Sequence, residues 1–180
     1  MNNLSIIGIG AVDEEWGMGL EDGSLPWGFC REDMAWFKFI TMNEHIVFGR
    51  KTYELIKDRL PRRHLHYISR HSDEVGFPQV LSNLFSFCKK CKHYNRTKLS
   101  SINDIKNLPY NRVFIGGGAQ IYKSAFENDL IDEFYLTKIL KGGFNPTVFF
   151  PHKLFLDKFE LISSFELSPF VIVERYQRKS

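Results

Sequence analysis

The sequence predicts a single-domain α/β protein built on a mostly parallel β-sheet. Short apolar runs of strand length alternate with amphipathic helical segments along most of the chain. Strands run directly into helices at two turns, and the last two apolar segments alternate like an antiparallel pair. A chain of 180 residues with 43% hydrophobic residues fits one domain, residues 1–180, with a substantial core.

Composition excludes several classes of protein. The formal net charge of +3 is too small to indicate a nucleic-acid-binding protein. The chain has no apolar run long enough to cross a membrane, and its first residues lack a secretory signal, so we expect a cytoplasmic protein without membrane contacts. Three cysteines do not form a disulfide framework. Cys88, Cys91 and His93 fall short of the four ligands of a structural zinc site, so we expect no metal.

The first elements are a strand, a loop and a helix. Residues 4–12 are β-branched and apolar, which is typical of a buried strand, and Gly8 and Gly10 suit close approach of a ligand or another backbone. The Gly- and acid-rich segment 13–23 predicts a mobile loop that could act as a lid. Pro26 then shapes a loop before a helix that begins near Arg31.

The carboxylate of Asp33 shares the apolar face of this helix with Phe37 and Ile40. One interpretation places Asp33, with Glu32, at the helix N-terminus, where a negative charge is favourable. The other makes it a partly buried acid with a raised pKa that awaits a polar ligand group. The residue pattern alone leaves both open.

Two strand ends carry positive charge. Residues 45–49 predict a second strand that runs into a helix opening with Arg50 and Lys51, and residues 60–69 predict a third strand that ends at Ser69 and Arg70. Because helix N-termini at the carboxyl edge of a parallel sheet bind phosphates, this pattern favours an anionic cofactor.

The middle of the chain is the least informative. Ser82–Cys91 and Ser101–Leu108 each resemble a helix, the second with a capping-box spacing between Ser101 and Asp104. Residues 89–98 are basic, and a solvated loop is favoured there over a nucleic-acid or partner-binding patch. We expect residues 71–110 to form in part an enlarged surface segment.

A second glycine-rich turn follows. Residues 113–115 predict a strand that ends in three consecutive glycines and leads into a helix, so the backbone could approach a pyrophosphate closely. Its spacing is not the GxGxxG of a Rossmann domain. Residues 131–140 predict another strand containing Thr137, and the chain ends with an antiparallel pair joined at Ser168 and Pro169.

Taken in order, these motifs resemble the dihydrofolate reductase family over nearly the whole chain. The motifs are AVD, WGMG, LPW, MAWFK, GRKTYELI, LPRRHLHYISR, GGG with IY, and YLTKI. The resemblance implies a central, mostly parallel twisted sheet of about eight strands, an antiparallel C-terminal pair and about four or five flanking helices. It also implies NADPH-dependent reduction of 7,8-dihydrofolate to 5,6,7,8-tetrahydrofolate, which supplies one-carbon metabolism and thymidylate synthesis.

The resemblance also assigns residues around the substrate. Asp33 would bind the pteridine, Thr137 would bond the Asp33 carboxylate, Trp27 would hold an ordered water, and Arg63 would clamp the glutamate α-carboxylate. Glu32 is the neighbouring acid, and helix register favours Asp33. The resemblance also implies further pocket residues, which are Ile7, Gly8, Leu25, Met34, Phe37, Ile56 and Leu60. It assigns Leu25 to the catalytic group as well.

On the cofactor side, a positive cluster that would meet the adenosine 2′-phosphate argues for NADPH over NADH; it comprises Arg50, Lys51, Ser69 and Arg70. Thr52 would contact the pyrophosphate, and Gly117 and Gly118 would be the cis Gly-Gly pair of the family. Ile9 and Trp16 would offer backbone groups to the nicotinamide carboxamide. The resemblance completes the cofactor site with Gly17, Gly49, Ala119, Gln120, Ile121 and Tyr122.

Two departures from the family pattern stand out. Gly116 replaces a branched aliphatic residue, which should loosen one wall of the pterin pocket, and LPRR replaces the common LPGR, which adds Arg62 beside Arg63. The resemblance implies binding of antifolates such as methotrexate, and we expect a monomer. The alternatives are a pyrimidine reductase of riboflavin synthesis with the same fold and a nucleic-acid- or partner-binding protein acting through residues 89–98.

Overall fold

The computed structural model describes residues 4–70 and 96–180. Within these ranges the strands, numbered β1 to β10 in chain order, are Ser5–Asp13, Gly17–Gly19, His45–Gly49, His64–Ile68, Arg96–Leu99, Arg112–Ile115, Glu133–Ile139, Val148–Phe149, Phe159–Ser168 and Val171–Arg178. The α-helices, numbered α1 to α4, are Arg31–Thr41, Arg50–Ile56, Ala119–Glu127 and His152–Lys158.

Eight of the strands form one sheet in the order β5-β4-β3-β6-β1-β7-β10-β9. Neighbouring strands from β5 to β7 pair in parallel, whereas β10 is antiparallel to both β7 and β9. The predicted mostly parallel sheet with an antiparallel C-terminal pair is therefore confirmed. The short strands β2 and β8 form a separate antiparallel pair.

The strand β1 lies inside the sheet and divides the core into two clusters. Ile6 and Val12 face one side with Phe134 and Phe126, whereas Ile7 and Ile9 face the other side. This division follows from the alternation of side chains along a strand that is buried on both faces. The first face is covered by α3 and α4, and the second carries α1 and α2.

Several sequence predictions need refinement against this fold. The segment Ser101–Leu108 keeps its capping box at Ser101, but it forms a 3-10 helix over Ile102–Asn107 rather than an α-helix. The predicted lid segment 13–23 contains β2, and pairing with β8 anchors this strand. The predicted helix Ser82–Cys91 lies outside the described residues, as does the basic loop 89–98 up to residue 95. Residues 96–98, expected to be part of a solvated loop, instead belong to β5, which pairs in parallel with β4. In the described part of the chain, no helix is long and apolar enough to span a membrane.

A histidine cluster occupies the amino ends of β3 and β4. The ring of His45 stacks on His64 with centroids 4.4 Å apart and on Tyr110, and its Nδ1 lies 3.0 Å from Nε2 of His66. Burial lowers the pKa of His66 to about 4, and the charges of His45 and His64 act in the same direction. Burial also lowers the pKa of His45 to about 4, with His64 contributing and Glu44 opposing. The cluster is therefore neutral at pH 7.

This cluster should make the protein sensitive to acid. Between pH 6.5 and about 4 the unfolded chain binds protons that folded His66 excludes, so the free energy of unfolding falls as the pH falls. The loss attributable to His66 should be about 3 kcal/mol. Glutamine still forms hydrogen bonds but does not titrate in this pH range. We expect His66→Gln to be less stable at pH 7.5 but to show a weaker dependence of the free energy of unfolding on pH, as measured by urea unfolding. An unchanged slope in the variant would contradict the assignment.

Candidate active site

The predicted site residues converge at the carboxyl edge of the parallel strands, where ligands bind in open α/β sheets. The strands β3 and β6 end there at Gly49 and Ile115, and each leads into a helix. On one face of this edge α1 contributes Asp33, and β7 contributes Thr137. The arrangement brings together both halves of the predicted site, one from α1 and β7 and the other from the two strand-to-helix turns.

Asp33 is a buried acid. Its side chain lies in the first turn of α1 and is 8% exposed, whereas the neighbouring Glu32 is exposed. Burial raises the pKa of Asp33, and a hydrogen bond with the Thr137 side chain opposes this shift. A role limited to the helix N-terminus would not bury the carboxylate, so the geometry favours the interpretation as a functional acid. The same burial difference favours Asp33 over Glu32.

Trp36 fixes the helix that carries Asp33. One helical turn after Asp33, its ring packs edge-on against Tyr135 of β7 and Phe165 of β9, at centroid distances of 5.8 and 5.1 Å. These contacts clamp α1 to two strands and hold Asp33 near Thr137. The sequence places Trp36 on the apolar side of the helix, but this spacing does not distinguish a supporting residue from ordinary core.

Tyr122 connects the glycine turn to the first strand. Its buried hydroxyl donates a 2.6 Å hydrogen bond to the carbonyl oxygen of Ile9, and its ring lies 3.0 Å from the position of a Cβ at Gly117. Burial raises the pKa of Tyr122, and the charge of Asp33 adds to the shift. Tyr122 therefore lies within electrostatic range of the buried acid and links the glycine turn to β1.

The predicted pocket walls divide by exposure. Ile7, Phe37, Ile56 and Leu60 belong to one apolar cluster beneath α1 and α2. Leu25 and Met34 are 38% and 39% exposed, as expected for residues at the rim of a cleft.

Gly8 and Gly10 face aromatic side chains. A Cβ at Gly8 would lie 2.1 Å from the ring of Phe134, and a Cβ at Gly10 would lie 2.7 Å from the Tyr122 hydroxyl. The side-chain space of both glycines is thus taken by the core, contrary to the expectation that a ligand or another backbone approaches them there. Gly8 can therefore offer only backbone groups to a substrate.

Arg63 is held in place by the end of α1. Its guanidinium is buried, with the residue 3% exposed, and it donates to the carbonyl oxygen of Pro61 at 2.6 Å. Longer contacts reach Thr41 Oγ1 at 3.4 Å and the Lys38 carbonyl at 3.5 Å. Such anchoring sets the direction of the guanidinium before any ligand arrives. The predicted clamp on a carboxylate stays a prediction.

Trp27 presents an indole N–H with no protein partner. Within the described residues its buried Nε1 donates to no side chain or backbone group, and its ring packs edge-on against Phe144 at 6.3 Å. Buried N–H groups are normally satisfied, so this donor suits a bound water or a polar ligand atom. That property agrees with the predicted role of Trp27.

Two helix N-termini meet at the glycine turn. Gly49 and Gly118 precede α2 and α3, and neither provides a side-chain cap. The Gly49 N–H donates to the Gly117 carbonyl at 2.8 Å, and Thr52 Oγ1 would lie 3.1 Å from a Cβ at Gly118. The Gly117–Gly118 peptide bond is cis, as the resemblance to the family implied. The uncapped N–H groups of both helices suit the phosphates of a dinucleotide.

The positive residues lie beside this turn. Gly49 pairs with Ile68, so Arg50 and Ser69 follow at the ends of adjacent strands. Arg50, Lys51 and Arg70 are exposed, whereas Ser69 is buried and its hydroxyl has no partner in residues 4–70 and 96–180. A buried hydroxyl beside three exposed cations is a good fit for a phosphate group. These residues therefore fit the phosphorylated cofactor that the sequence implied.

The backbone at the other end of the predicted cofactor site is already paired in part. The Trp16 carbonyl accepts a hydrogen bond from Phe150 N at 2.9 Å, and its N–H donates to Asp13 O at 3.2 Å. The Gly17 N–H donates to Asp13 Oδ1 at 2.7 Å. A carbonyl oxygen has two lone pairs, so Trp16 retains capacity for one further donor. Ala119, Gln120 and Ile121 form the first turn of α3.

Comparison with known proteins agrees with this geometry. The protein-family model described as dihydrofolate reductase matches residues 5–168. The chain belongs to the dihydrofolate reductase family. The dihydrofolate reductase of Aedes albopictus is 30% identical over 167 residues, which cover 87% of this chain and 80% of the relative. The dihydrofolate reductase of Staphylococcus aureus is 32% identical over 146 residues, which cover 81% of this chain and 77% of the relative.

A solved structure shares the fold. Dihydrofolate reductase from Enterococcus faecalis complexed with NADP(H) and RAB-propyl superposes with a TM-score of 0.73 at 23% identity, covering 98% of this chain and 97% of that one. The predicted dihydrofolate reductase-like fold is thereby confirmed. These matches do not favour the alternative of a pyrimidine reductase of riboflavin synthesis.

The departure from the family pattern at Gly116 is compensated within the core. A Cβ at this position would lie 2.3 Å from Cε1 of Phe48, whose side chain is buried with 2% exposure. The Phe48 ring therefore fills space that a branched residue at position 116 would use. The bulk that is missing at Gly116, directly after β6, is thus supplied by Phe48 of β3, which argues against the expected looser pocket wall.

The second departure places a non-glycine residue in a left-handed conformation. Arg62, where the dihydrofolate reductase pattern commonly has glycine, has φ +62° and is exposed. An L-residue in this region costs about 1–2 kcal/mol relative to glycine. The chain adopts this conformation next to Arg63 at some cost in stability.

Replacing Arg62 should test this cost. We expect Arg62→Gly to stabilise the protein by about 0.5–1 kcal/mol, since relief of the left-handed strain exceeds the added entropy of the unfolded chain. Arg59→Gly makes the same chemical change at a nearby exposed residue without positive φ and should be neutral or destabilising. Urea midpoints of the two variants provide the comparison, and equal shifts would contradict the interpretation.

Proposed function

We propose that the cleft beneath α1 reduces 7,8-dihydrofolate to 5,6,7,8-tetrahydrofolate, with Asp33 as the acid that binds and activates the pterin. The observation that carries the proposal is the buried Asp33 carboxyl group, bonded to Thr137, at the edge of the sheet where two uncapped helix N-termini meet. Membership of the dihydrofolate reductase family supports it. The product would supply one-carbon metabolism and thymidylate synthesis.

Asp33 would bind the amidine-like edge of the pterin through its two carboxylate oxygens, with Thr137 fixing their orientation. Its negative charge would also favour the protonated pterin at N5. Trp27 would hold a water through its buried Nε1. No side chain needs to touch N5, because water can deliver the proton beneath residues 13–28.

Apolar walls would hold the reactants together. Ile7, Phe37, Ile56 and Leu60 belong to one apolar cluster that would exclude water from the ring, while Leu25 and Met34 would line the rim. Such walls contribute proximity and orientation rather than covalent catalysis. At the far end, Arg63 would bind the glutamate α-carboxylate with a fork already oriented by Pro61 and Lys38.

The cofactor is NADPH, which supplies a hydride when bound. The uncapped starts of α2 and α3, together with Thr52, would hold the pyrophosphate. The 2′-phosphate would lie against Arg50, Lys51, Ser69 and Arg70. Ile9, Trp16 and Gly17 would orient the carboxamide through backbone groups.

We extend the proposal to partners and location. The small-molecule substrate pocket of this fold also accepts antifolates, and we propose methotrexate as an inhibitor that competes with dihydrofolate. The odd and small cysteine count supports a reducing, cytoplasmic environment. A monomeric state completes the proposal, in which one chain contributes every residue of the site.

An absorbance assay tests the proposed function. Purified protein should oxidise NADPH when dihydrofolate is added, more efficiently than it oxidises NADH, and methotrexate should abolish the signal. A variant with Arg50, Lys51 and Arg70 replaced by Gln should lose the preference for NADPH and retain turnover with NADH. Absence of both oxidation and inhibition would overturn the proposal.

A further inference from the structure

Lys138 lies on the buried face of β7. Side chains alternate across a strand, so Thr137 faces Asp33 while Phe134, Leu136 and Lys138 face the opposite side. The Lys138 ammonium group sits 3.3 Å from the centroid of the Trp16 ring. A lysine on an apolar face needs compensation for its lost hydration, and an aromatic face provides it. The sequence already indicated this position, because Lys138 follows Phe134 and Leu136 at the two-residue spacing of one strand face.

Trp16 is held in an unfavourable backbone conformation. Its φ is +67°, which is costly for a bulky residue and requires support from its surroundings. The Trp16 ring stacks on His152 at 5.2 Å and on Phe150 at 6.1 Å, and the Lys138 ammonium group contacts its face. The ring contacts and the pairing of the Trp16 carbonyl with Phe150 N thus fix the turn between β1 and β2.

We infer that Lys138 is a positioning residue for the cofactor: its cation–π contact with Trp16 maintains the β1–β2 turn in the conformation that binds NADPH. The inference rests on the proposed function, which assigns the backbone of Trp16 and Gly17 to the nicotinamide carboxamide. Loss of the contact lowers the population of the binding-competent turn, and affinity falls in proportion to that population.

A purely structural role for Lys138 predicts a different outcome. Burial lowers the pKa of Lys138, and the charges of Glu174 and Asp13 oppose the shift, so the lysine is also part of a local charge balance. If Lys138 only supported the core, its replacement would lower stability and would affect substrate and cofactor alike. A positioning role affects NADPH binding selectively, because Asp33 and Thr137 lie on the other face of the sheet.

The test compares Lys138→Met with Lys138→Arg, and the exposed Lys123→Met on α3 serves as the control. The apo protein is titrated directly with NADPH, and binding is followed by cofactor fluorescence. The affinity of Lys138→Met for NADPH should be five- to thirty-fold weaker than that of the wild type. This change in Kd corresponds to about 1–2 kcal/mol, as expected for a partly desolvated cation–π contact. Lys138→Arg, which keeps the cation, should recover most of the affinity. The KM for dihydrofolate should change by less than about twofold in all three variants, because a displaced turn leaves the substrate walls intact.

A double-mutant cycle separates the contact from other effects. Trp16→Leu should weaken NADPH binding, and adding Lys138→Met should then produce little further loss. An unchanged NADPH Kd in folded Lys138→Met, or fully additive losses, would overturn the inference. If Lys138→Met does not fold, Lys138→Gln takes its place with the same criteria.

These readouts are independent of dihydrofolate turnover. A wild-type protein that binds NADPH but does not reduce dihydrofolate would overturn the proposed function and leave the Lys138 comparison valid. A wild-type protein that reduces dihydrofolate, together with a Lys138→Met variant of unchanged NADPH affinity, would retain the proposed function and reject the role of Lys138.

Discussion

Asp33→Asn is expected to lower turnover at pH 7 by about 10²–10⁴-fold, the usual contribution of a positioned acid–base group. Asparagine is nearly isosteric with aspartate but carries no charge to favour the protonated pterin. In more acidic solution the solvent protonates the substrate directly, so part of the lost activity should return. The measurement is kcat against pH for both proteins.

A stability measurement separates chemistry from folding. Burial raises the pKa of Asp33, so its ionised form is less favourable in the folded state than in the unfolded chain. Stability is therefore lost as the pH rises through the folded pKa, and Asp33→Asn should have the higher Tm at pH 7. The exposed neighbour Glu32→Gln is the matched control and should retain activity. Normal turnover of Asp33→Asn at pH 7 would show that the acid has been assigned wrongly.

Gly116→Val is expected to destabilise the protein by about 2–3 kcal/mol, because overpacking a filled core forces neighbouring side chains from their positions. The added Cβ would lie 2.3 Å from Phe48, which has no solvent-exposed space to move into. Gly19→Val is the control: its Cβ would meet Val148 at an ordinary 3.6 Å. Urea unfolding gives the two free energies.

The same contact predicts non-additivity. Phe48→Leu alone leaves a cavity and should cost about 1–2 kcal/mol. Combined with Gly116→Val, it should recover most of the loss caused by the valine, since the two side chains compete for one space. Equal and additive losses would mean that Phe48 does not fill the position beside Gly116.

Much of the fold could be predicted from the sequence, because most strands of the main sheet are apolar or alternating runs and each strand-to-helix turn has a glycine or a basic residue. The edge strand β5 was not predicted, because its sequence RTKL contains no apolar run. The order of these motifs was enough to indicate the family. Asp33 was identified as a candidate from its place on an apolar helix face. Its burial relative to Glu32 required three-dimensional packing, because α1 meets β7 and β9 through Trp36.

The residues that sequence reasoning missed share a physical cause. Phe48 fills the space beside Gly116 across two strands that pair in the sheet, and no local pattern records which side chain occupies that space. Lys138 and Trp16 are far apart in the chain and meet only when β7 pairs with β1. The 3-10 geometry of Ile102–Asn107 likewise depends on how the segment packs, since its capping box suits either type of helix.

The alternation of side chains in β7 has a consequence for insertions and deletions. Thr137 and Lys138 are consecutive residues, yet Thr137 contacts Asp33, the acid proposed to bind the pterin, and Lys138 contacts Trp16 in the turn proposed to bind the cofactor. Because a one-residue slip turns every side chain to the opposite face, it would place Lys138 on the face of the sheet that holds Asp33 and Thr137 on the face that holds Trp16. Length changes in β7 should therefore be tolerated far less than most substitutions within it. The register of this one strand specifies both halves of the proposed active site.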